Sequence, residues 1–150
     1  MIRNYTARDQ AQVLALLKKN TPAYFDASEE ADLVHYLDKE VEDYFVVEEN
    51  QHLIGAGGIN YFPAEKMARL SWDLIHPLYH GKGIGKSLTQ FRVEYIRQNP
   101  AIELIVVRTS QLVYGFYEKM GFELEKIEED YWAKGYHLYQ MRLPLSHCYQ

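Results

Sequence analysis

Three glycines at alternate positions, Gly81, Gly83 and Gly85, stand between a predicted strand and a predicted helix. Glycine tolerates left-handed backbone angles and has no side chain, so this loop can point several backbone N–H groups at one anion. A diphosphate suits such a loop. A Walker loop needs glycine where His80 stands, and a dinucleotide GxGxxG motif needs glycine where Lys86 stands, so both motifs fail by one residue. A turn whose glycines serve packing only is the alternative.

Apolar periodicity predicts the elements that must position this loop. A short strand from Ile2 to Tyr5 precedes two helices, one capped by Thr6 and one starting near Ser28. Strand-like runs follow at 44–48, 52–62 and 69–75, then a helix from Ile84 to Ile96. Next come a strand at 102–107, a short helix at 111–120 and two strands that meet near Gly135. The predicted order is β-α-α-β-β-β-α-β-α-β-β.

The segment DLIHPLYHGKGIGKSL, with the later segment TSQLVYGFYEKMGF, resembles the acetyl-CoA signature of the GNAT superfamily of N-acetyltransferases. The family's loop begins with Arg or Gln, where this chain has His80. The family's second signature is Asn, two residues, Ala, then Tyr before Gly-Phe. The tyrosine is retained as Tyr117, whereas Ser110 and Val113 replace Asn and Ala. The resemblance implies a single GNAT-like domain over residues 1–150, an α/β (α+β) fold with a central mixed, mostly antiparallel sheet flanked by about four helices.

The same resemblance implies that acetyl-CoA binds as cosubstrate. Its diphosphate would lie over the glycine loop, and its pantetheine arm would pair with the preceding strand through the main chain. No metal is expected, because Pro77 keeps His76 and His80 from sharing a helical face and no carboxylate motif accompanies them. The cofactor-binding residues predicted in this way are Leu74, Ile75, His76, His80, Gly81, Lys82, Gly83, Ile84, Gly85, Lys86, Ser87, Ser110 and Tyr117.

Amide formation from a thioester requires a neutral amine and a proton for the departing thiolate. The resemblance assigns the proton donor to Tyr117, which could alternatively be a buried helical aromatic. Asp73, a charged residue in an apolar strand, and His76, whose ordinary pKa suits neutral pH, are the candidate bases. Asp73 could instead be solvated or salt-bridged. The backbone N–H of Ile75 is expected to polarise the thioester carbonyl.

Acidic residues are concentrated between residues 26 and 49, which hold ten carboxylates and one lysine. In the resembling family this part of the chain flanks the amine pocket, so the carboxylates are candidates for attracting a cationic acceptor. Asp26, Glu29 and Glu30 stand closest to the aromatic pair Tyr24 and Phe25. A solvated helix face is the alternative. The predicted substrate-binding residues are Tyr24, Phe25, Asp26, Glu30 and Tyr131.

Composition sets outer bounds on function. The chain has 150 residues, 47% hydrophobic and 25% charged, with a net charge of −5, which disfavours binding to nucleic acid. The single cysteine, Cys148, cannot form an internal disulfide, and no apolar run approaches the length of a membrane span. We therefore expect a cytoplasmic protein without membrane contact. A homodimer is possible by resemblance, since dimers are common in the family.

The leading hypothesis is direct acetyl transfer from acetyl-CoA to a primary amine in a ternary complex, the acceptor being a small molecule or a peptide. A catalytically silent CoA-binding or regulatory module is the alternative, because the signature asparagine is missing and His80 stands at the start of the loop. A P-loop nucleotide hydrolase fits less well, since the chain lacks a lysine in register and a Walker acid.

Overall fold

A computed structural model describes residues 1–145, so Cys148 lies outside the described part of the chain. Eleven strands and helices follow one another in the predicted order. They are β1 (Ile2–Asn4), α1 (Gln10–Lys19), α2 (Glu29–His35), β2 (Asp43–Glu49), β3 (His52–Phe62), β4 (Met67–Ile75), α3 (Ile84–Arg97), β5 (Leu104–Thr109), α4 (Tyr114–Lys119), β6 (Glu123–Ala133) and β7 (Tyr136–Pro144).

All seven strands form one sheet in the order β1-β2-β3-β4-β5-β7-β6. Every neighbouring pair is antiparallel except β4 and β5, which are parallel and are connected through α3. The prediction of a single α/β domain with a mixed, mostly antiparallel sheet and four helices is confirmed. No helix within residues 1–145 is long and apolar enough to cross a membrane.

The sheet opens between β4 and β5. The two strands pair over only four positions, from Met67 opposite Leu104 to Leu70 opposite Val107. The following residues of β4 remain paired with β3 on their other side, but a bulge at Trp72, which has φ of 49°, shifts that register. A bulge bends a strand and increases its local twist, and β4 therefore turns away from β5. Residues 71–75 of β4 therefore have no strand beside them on the β5 side, and this side is their free edge.

Two apolar clusters cover the two faces of the sheet. Helices α1 and α2 supply residues such as Val13, Leu17 and Leu33 to one cluster. Helices α3 and α4 supply Leu88, Ile96 and Tyr117 to the other cluster. Since each sheet face is covered by its own helix pair, the free edge of β4 is the place where a ligand can pass between the two layers.

Element boundaries differ from the predicted ones by a few residues. The second helix continues through a wide π-type turn at Tyr36–Glu40. The fourth helix begins at Tyr114, because residues 111–113 form a turn in which Ser110 Oγ accepts a hydrogen bond from the Leu112 N–H. The strand predicted at 102–107 is observed at Leu104–Thr109, since Ile102 still belongs to the turn after α3.

Candidate functional site

A cleft of about 1100 Å³ occupies the opening between β4 and β5. It runs from the glycine loop before α3, past the free edge of β4, to the segment between α1 and α2 and the β6–β7 hairpin. A volume at the upper end of the usual range for ligand sites suits an extended ligand and a second, smaller one.

The glycine loop forms one end of this cleft. Gly81 and Gly83 have φ of 77° and 85°, angles that residues with a side chain rarely adopt, and Gly83 is the N-cap of α3. A Cβ atom built at either glycine would meet nothing within 4 Å, so the space above the loop is open. The first N–H groups of a helix have no partner within the helix and attract anions. The loop therefore fits a diphosphate.

The predicted cofactor residues divide into those that line the cleft and those that do not. Ile75, His80, Gly81, Gly83, Gly85, Lys86, Ser110 and Tyr117 line it. Leu74, His76, Lys82, Ile84 and Ser87 are not among the lining residues, and Leu74 is buried in the core between the sheet and α1. Ser110 lies in the wall with its hydroxyl used as the cap of the turn before α4.

His80 ties the glycine loop to the end of β4. Its Nε2 lies 2.9 Å from the carbonyl oxygen of Ile75, and this nitrogen must be the donor, because a carbonyl can only accept. The same carbonyl accepts a hydrogen bond of 3.0 Å from the amide of Asn20, which also donates to Leu16 in α1. Asn20 therefore fixes the end of β4 against α1.

The backbone N–H of Ile75 points into the cleft. His76 donates its N–H to Ile54 of β3, and successive residues of a strand direct their backbone groups to opposite sides. Ile75 consequently presents its N–H and C=O to the free edge, where pairing with β5 has already ended. This N–H is available to a carbonyl oxygen placed along that edge.

At the centre of the cleft lies a cluster of Asp73, Arg92 and Tyr117. The Arg92 guanidinium donates to both carboxylate oxygens of Asp73, at 2.6 and 2.8 Å, and the Tyr117 hydroxyl donates a short hydrogen bond to the same carboxylate. The Arg92 side chain is fully buried, whereas 18% of the Asp73 side chain is exposed. Asp73 thus has the salt-bridged environment that the sequence left open.

The cluster has electrostatic consequences for Tyr117. Burial raises the pKa of its hydroxyl well above the ordinary value for tyrosine, and the nearby negative charge of Asp73 adds to this effect. The hydroxyl therefore keeps its single proton throughout the neutral range and donates it to the Asp73 carboxylate.

His76 does not face the cleft, contrary to its predicted role as a base. Its Nδ1 accepts a hydrogen bond of 3.1 Å from the N–H of Leu78 and so caps the turn after β4. In the neutral ring this acceptor nitrogen holds the lone pair that a base would use. Partial burial and the positive charge of Lys19 also lower the pKa of His76.

At the acceptor end, Tyr24, Phe25 and Glu29 line the cleft, whereas Asp26, Glu30 and Tyr131 are not among its lining residues. The Asp26 carboxylate caps the start of α2 by accepting from Ser28, and Glu30 forms an exposed ion pair of 3.4 Å with Lys18. Glu29 is buried with 5% exposure, and burial raises its pKa. Of Asp26, Glu29 and Glu30, Glu29 is therefore the one that lines the cleft; Glu40 and Glu42, later in the acidic segment, line it too. On the hairpin, Trp132 lines the cleft in place of Tyr131.

Sequence reasoning missed Arg92. It occupies the apolar face of α3 at helical spacing between Leu88 and Ile96, where an arginine is unusual unless it is paired. The sequence did contain a sign of this ion pair, because Arg92 stands on the apolar face of a helix and Asp73 stands in an apolar strand. Gly57 of β3 was also missed: a Cβ there would stand 2.9 Å from both Arg92 Nη1 and Asp73 Oδ1, so the cluster requires glycine.

Comparison with known proteins identifies the family and supports the fold. Residues 11–122 match the model of the Acetyltransferase (GNAT) family. An amino-acid acetyltransferase of Mannheimia succiniciproducens is 28% identical over 93 residues, which are 62% of this chain but only 21% of that protein. The chain thus spans about a fifth of the length of the curated relatives that it matches.

Solved structures share the fold over almost the whole chain. The ribosomal-protein-S18-alanine N-acetyltransferase of Escherichia coli superposes with a TM-score of 0.80 at 14% identity, covering 100% of this chain and 96% of that one. An aminoglycoside 6'-N-acetyltransferase complexed with coenzyme A superposes with a TM-score of 0.77 at 13% identity, covering 100% of this chain and 99% of that one. The chain belongs to the acetyltransferase (GNAT) family, because residues 11–122, most of the chain, match the family model.

Proposed function

We propose that the chain is an N-acetyltransferase that moves the acetyl group of acetyl-CoA to a primary amine by direct attack in a ternary complex. One observation carries the proposal: a single cleft joins a glycine loop suited to an anion, an unpaired strand edge and a tyrosine held by the half-buried carboxylate of Asp73. Membership of the family and the coenzyme A complex of a structural neighbour support it.

Acetyl-CoA, when bound, supplies an activated acetyl thioester. The N–H groups around Gly83 and the start of α3 would bind its diphosphate, and Lys86 adds positive charge beside them. The free edge of β4 would pair with its pantetheine arm. The Ile75 N–H would then donate to the thioester carbonyl oxygen, on which negative charge develops during attack.

In the transfer, the amine nitrogen forms a bond to the acetyl carbon while the bond from that carbon to sulfur breaks. The nitrogen loses one proton and the thiolate gains one. We assign Tyr117 to the leaving sulfur as the proton donor, because its hydroxyl is protonated and lies at the centre of the cleft. Asp73 is assigned to positioning, since its oxygens are already used by Arg92 and Tyr117. The amine proton leaves through water, and Tyr117 takes up a proton from water to restore its hydroxyl.

The experiment combines binding and turnover. Isothermal titration should show coenzyme A binding, and a panel of amines should include at least one that is acetylated at a rate dependent on Tyr117. Gly83→Val should weaken coenzyme A binding at least tenfold, because the new side chain fills the open space above the loop and strains a left-handed backbone. Coenzyme A binding without transfer to any amine would favour the silent CoA-binding module instead.

A further inference from the structure

Two arginines line the acceptor half of the cleft without a carboxylate partner. Neither Arg69 of β4 nor Arg108 of β5 forms an ion pair within 4.0 Å or a side-chain hydrogen bond with any described residue. The Nε of Arg69 is buried and has no hydrogen-bond partner within residues 1–145. Buried polar groups are almost always satisfied, so this nitrogen requires an explanation.

The strand register brings the two arginines to one face of the sheet. Arg69 stands opposite Val106 in the parallel pair, and Arg108 follows Val106 by two residues. Alternate residues of a strand share a face, so both side chains lie on the face opposite to that of Ala68, Leu70 and Val107, which pack toward α3. Both arginines stand where β4 and β5 begin to separate.

Aromatic rings hold both guanidinium groups in place. Arg69 lies over the ring of Phe62 at 4.6 Å, and Arg108 lies over Tyr131 at 4.9 Å and Trp132 at 5.7 Å. An arginine stacked on a ring keeps its N–H donors in the plane of the guanidinium, where they can bind a carboxylate in a bidentate manner. The stacking therefore orients the donors without using them.

The pair of charges is unfavourable without an anion. Burial lowers the pKa of Arg69, and the positive charge of Arg108 lowers it further. Two nearby carboxylates have other partners: Glu42 accepts from the Asn60 side chain and the Tyr61 N–H, and Glu40 lies 3.8 Å from His35. The charge of Glu65 raises the pKa of Arg69, but Glu65 forms no ion pair with it within 4.0 Å. A bound anion would remove this repulsion and satisfy the Arg69 Nε.

We propose that the amine acceptor carries a carboxylate, which Arg69 and Arg108 bind. The inference rests on the proposed function, because it names the class of acceptor for that reaction. The amine of the same molecule would then point toward Asp73 and Glu29, two of the four carboxylate residues that line the cleft. A zwitterionic acceptor, such as a free amino acid, matches a cleft with both signs of charge.

The phosphates of acetyl-CoA are the other possible anions, and the geometry argues against them. Strand β4 ends at Ile75, six residues beyond Arg69, and the glycine loop follows that end. Six strand residues span about 20 Å. The two anion sites are therefore at opposite ends of the cleft, and coenzyme A affinity separates them experimentally.

The test compares four L-amino acids, phenylalanine, methionine, glutamate and lysine, each with its own primary amide, as acceptors. The amides keep the amine but lack the α-carboxylate. With the unchanged protein we expect kcat/KM for the best amino acid to exceed that for its amide by about 10- to 100-fold. This is the effect expected when the amide loses the charged hydrogen bonds that the carboxylate makes. Arg69→Gln and Arg108→Gln should each remove most of this preference by raising the KM of the acid, and Arg69→Lys should restore it in part.

Controls separate this role from folding and from cofactor binding. Coenzyme A affinity should stay within threefold in all of these variants. Arg97→Gln, which removes an exposed arginine paired with Glu94 on α3, should leave the preference for acids unchanged. Equal use of acids and amides by the unchanged protein would overturn the carboxylate site while leaving acetyl transfer intact. A large loss of coenzyme A affinity in Arg69→Gln would overturn it as well.

Binding without turnover tests the site independently of the reaction. The same eight compounds, and their N-acetyl derivatives, are compared by thermal shift in the presence of coenzyme A. Greater stabilisation by the acids, abolished in Arg69→Gln, would support the carboxylate site even if no amine were acetylated, in which case the proposed function alone would fail. Equal stabilisation by acids and amides, or none by either, would contradict the site.

Discussion

At the scale of single residues, the Tyr117 hydroxyl is held by Asp73 and is difficult to ionise. A raised pKa makes a group a weaker acid, so complete transfer of its proton to a thiolate costs more than it would for an ordinary tyrosine. Arg92 reduces this cost, because its positive charge lies against the same carboxylate. The structure therefore favours a hydroxyl that stays protonated until the sulfur carries its negative charge.

Tyr117→Phe tests this role. The change removes the donated proton and keeps the ring, so the turnover number should fall by roughly 10²- to 10⁴-fold while acetyl-CoA affinity stays within about threefold. In the unchanged protein, the raised pKa predicts that kcat/KM does not decline through ionisation of Tyr117 up to about pH 10, the ordinary tyrosine pKa.

Tyr114→Phe is the matched control, because Tyr114 belongs to the same helix but packs against Tyr139 and does not line the cleft. Its turnover should be unchanged. If single-turnover rates of Tyr117→Phe remain within threefold of the unchanged protein, Tyr117 is a structural residue.

Glu29 provides a residue-scale test that depends on pH. Its raised pKa means that the fold prefers the neutral carboxyl. The cost of ionising Glu29 is therefore absent in acid and develops as the pH rises from the ordinary pKa of a glutamate to the raised pKa. Glu29→Gln removes that cost, and its amide oxygen can still accept from the Asp26 N–H. We expect the variant to melt a few degrees higher than the unchanged protein at pH 7 and at the same temperature near pH 3.5.

Glu30→Gln serves as the comparison, because Glu30 lies on the surface and its ion pair is exposed. Its melting temperature should match that of the unchanged protein at both pH values. In acetylation assays, Glu29→Gln should raise the acceptor KM, whereas Glu30→Gln should not. If the difference in melting temperature between Glu29→Gln and the unchanged protein does not depend on pH, ionisation of Glu29 does not destabilise the fold.

At the scale of elements, the site depends on the close packing of β3, β4 and α3. The guanidinium of Arg92 crosses from α3 to the sheet, where it also donates to the Gly58 carbonyl at 3.0 Å. Because Gly57 lacks a side chain, the ion pair of Arg92 and Asp73 can lie directly over β3. The glycines of β3 thus determine where the cluster is placed.

Gly57→Ala should disturb this packing. Its Cβ would approach two charged atoms to 2.9 Å, so we expect a loss of about 1 to 3 kcal/mol in the free energy of unfolding. For a chain of this size that lowers Tm by about 2 to 12 °C. Gly115→Ala is the control, since a Cβ there meets nothing within 4 Å and alanine favours the helix, which should raise stability by about 0.5 to 1 kcal/mol. Calorimetry that shows equal Tm values for the two variants would contradict this account of Gly57.

At the scale of the whole molecule, two parts of the sheet meet through only four residue pairs between β4 and β5. Strands β1 to β4 lie on one side of this junction and β5, β7 and β6 on the other. A ligand that lies along the free edge of β4 contacts both parts, and its binding therefore stabilises the molecule across this junction.

Hydrogen exchange with and without coenzyme A tests this expectation. At 100 times its dissociation constant, the ligand should stabilise the fold by about 2.7 kcal/mol. Peptides that contain the Ile75 amide should become at least tenfold slower to exchange, because the N–H at the free edge gains a partner. Peptides from β1, which pairs only with β2, should change little beyond the global effect. Uniform slowing in all strands would contradict binding along β4.

Local patterns in the sequence determined the order of elements and the glycine loop, because turn chemistry and hydrophobic period act over a few neighbouring residues. The resemblance to the GNAT family singled out Tyr117. They could not determine which charged groups meet. Asp73 and Arg92 are 19 residues apart and Tyr117 is 44 residues from Asp73, so their contact depends on the crossover through α3 and on the bulge in β4. Likewise, only the packed loop after α1 distinguishes Glu29 from Asp26 and Glu30, and only the register of β4 with β5 brings Arg69 and Arg108 together. Tertiary packing decided these contacts because burial and strand register, which no local pattern encodes, set both the distance and the dielectric between charges.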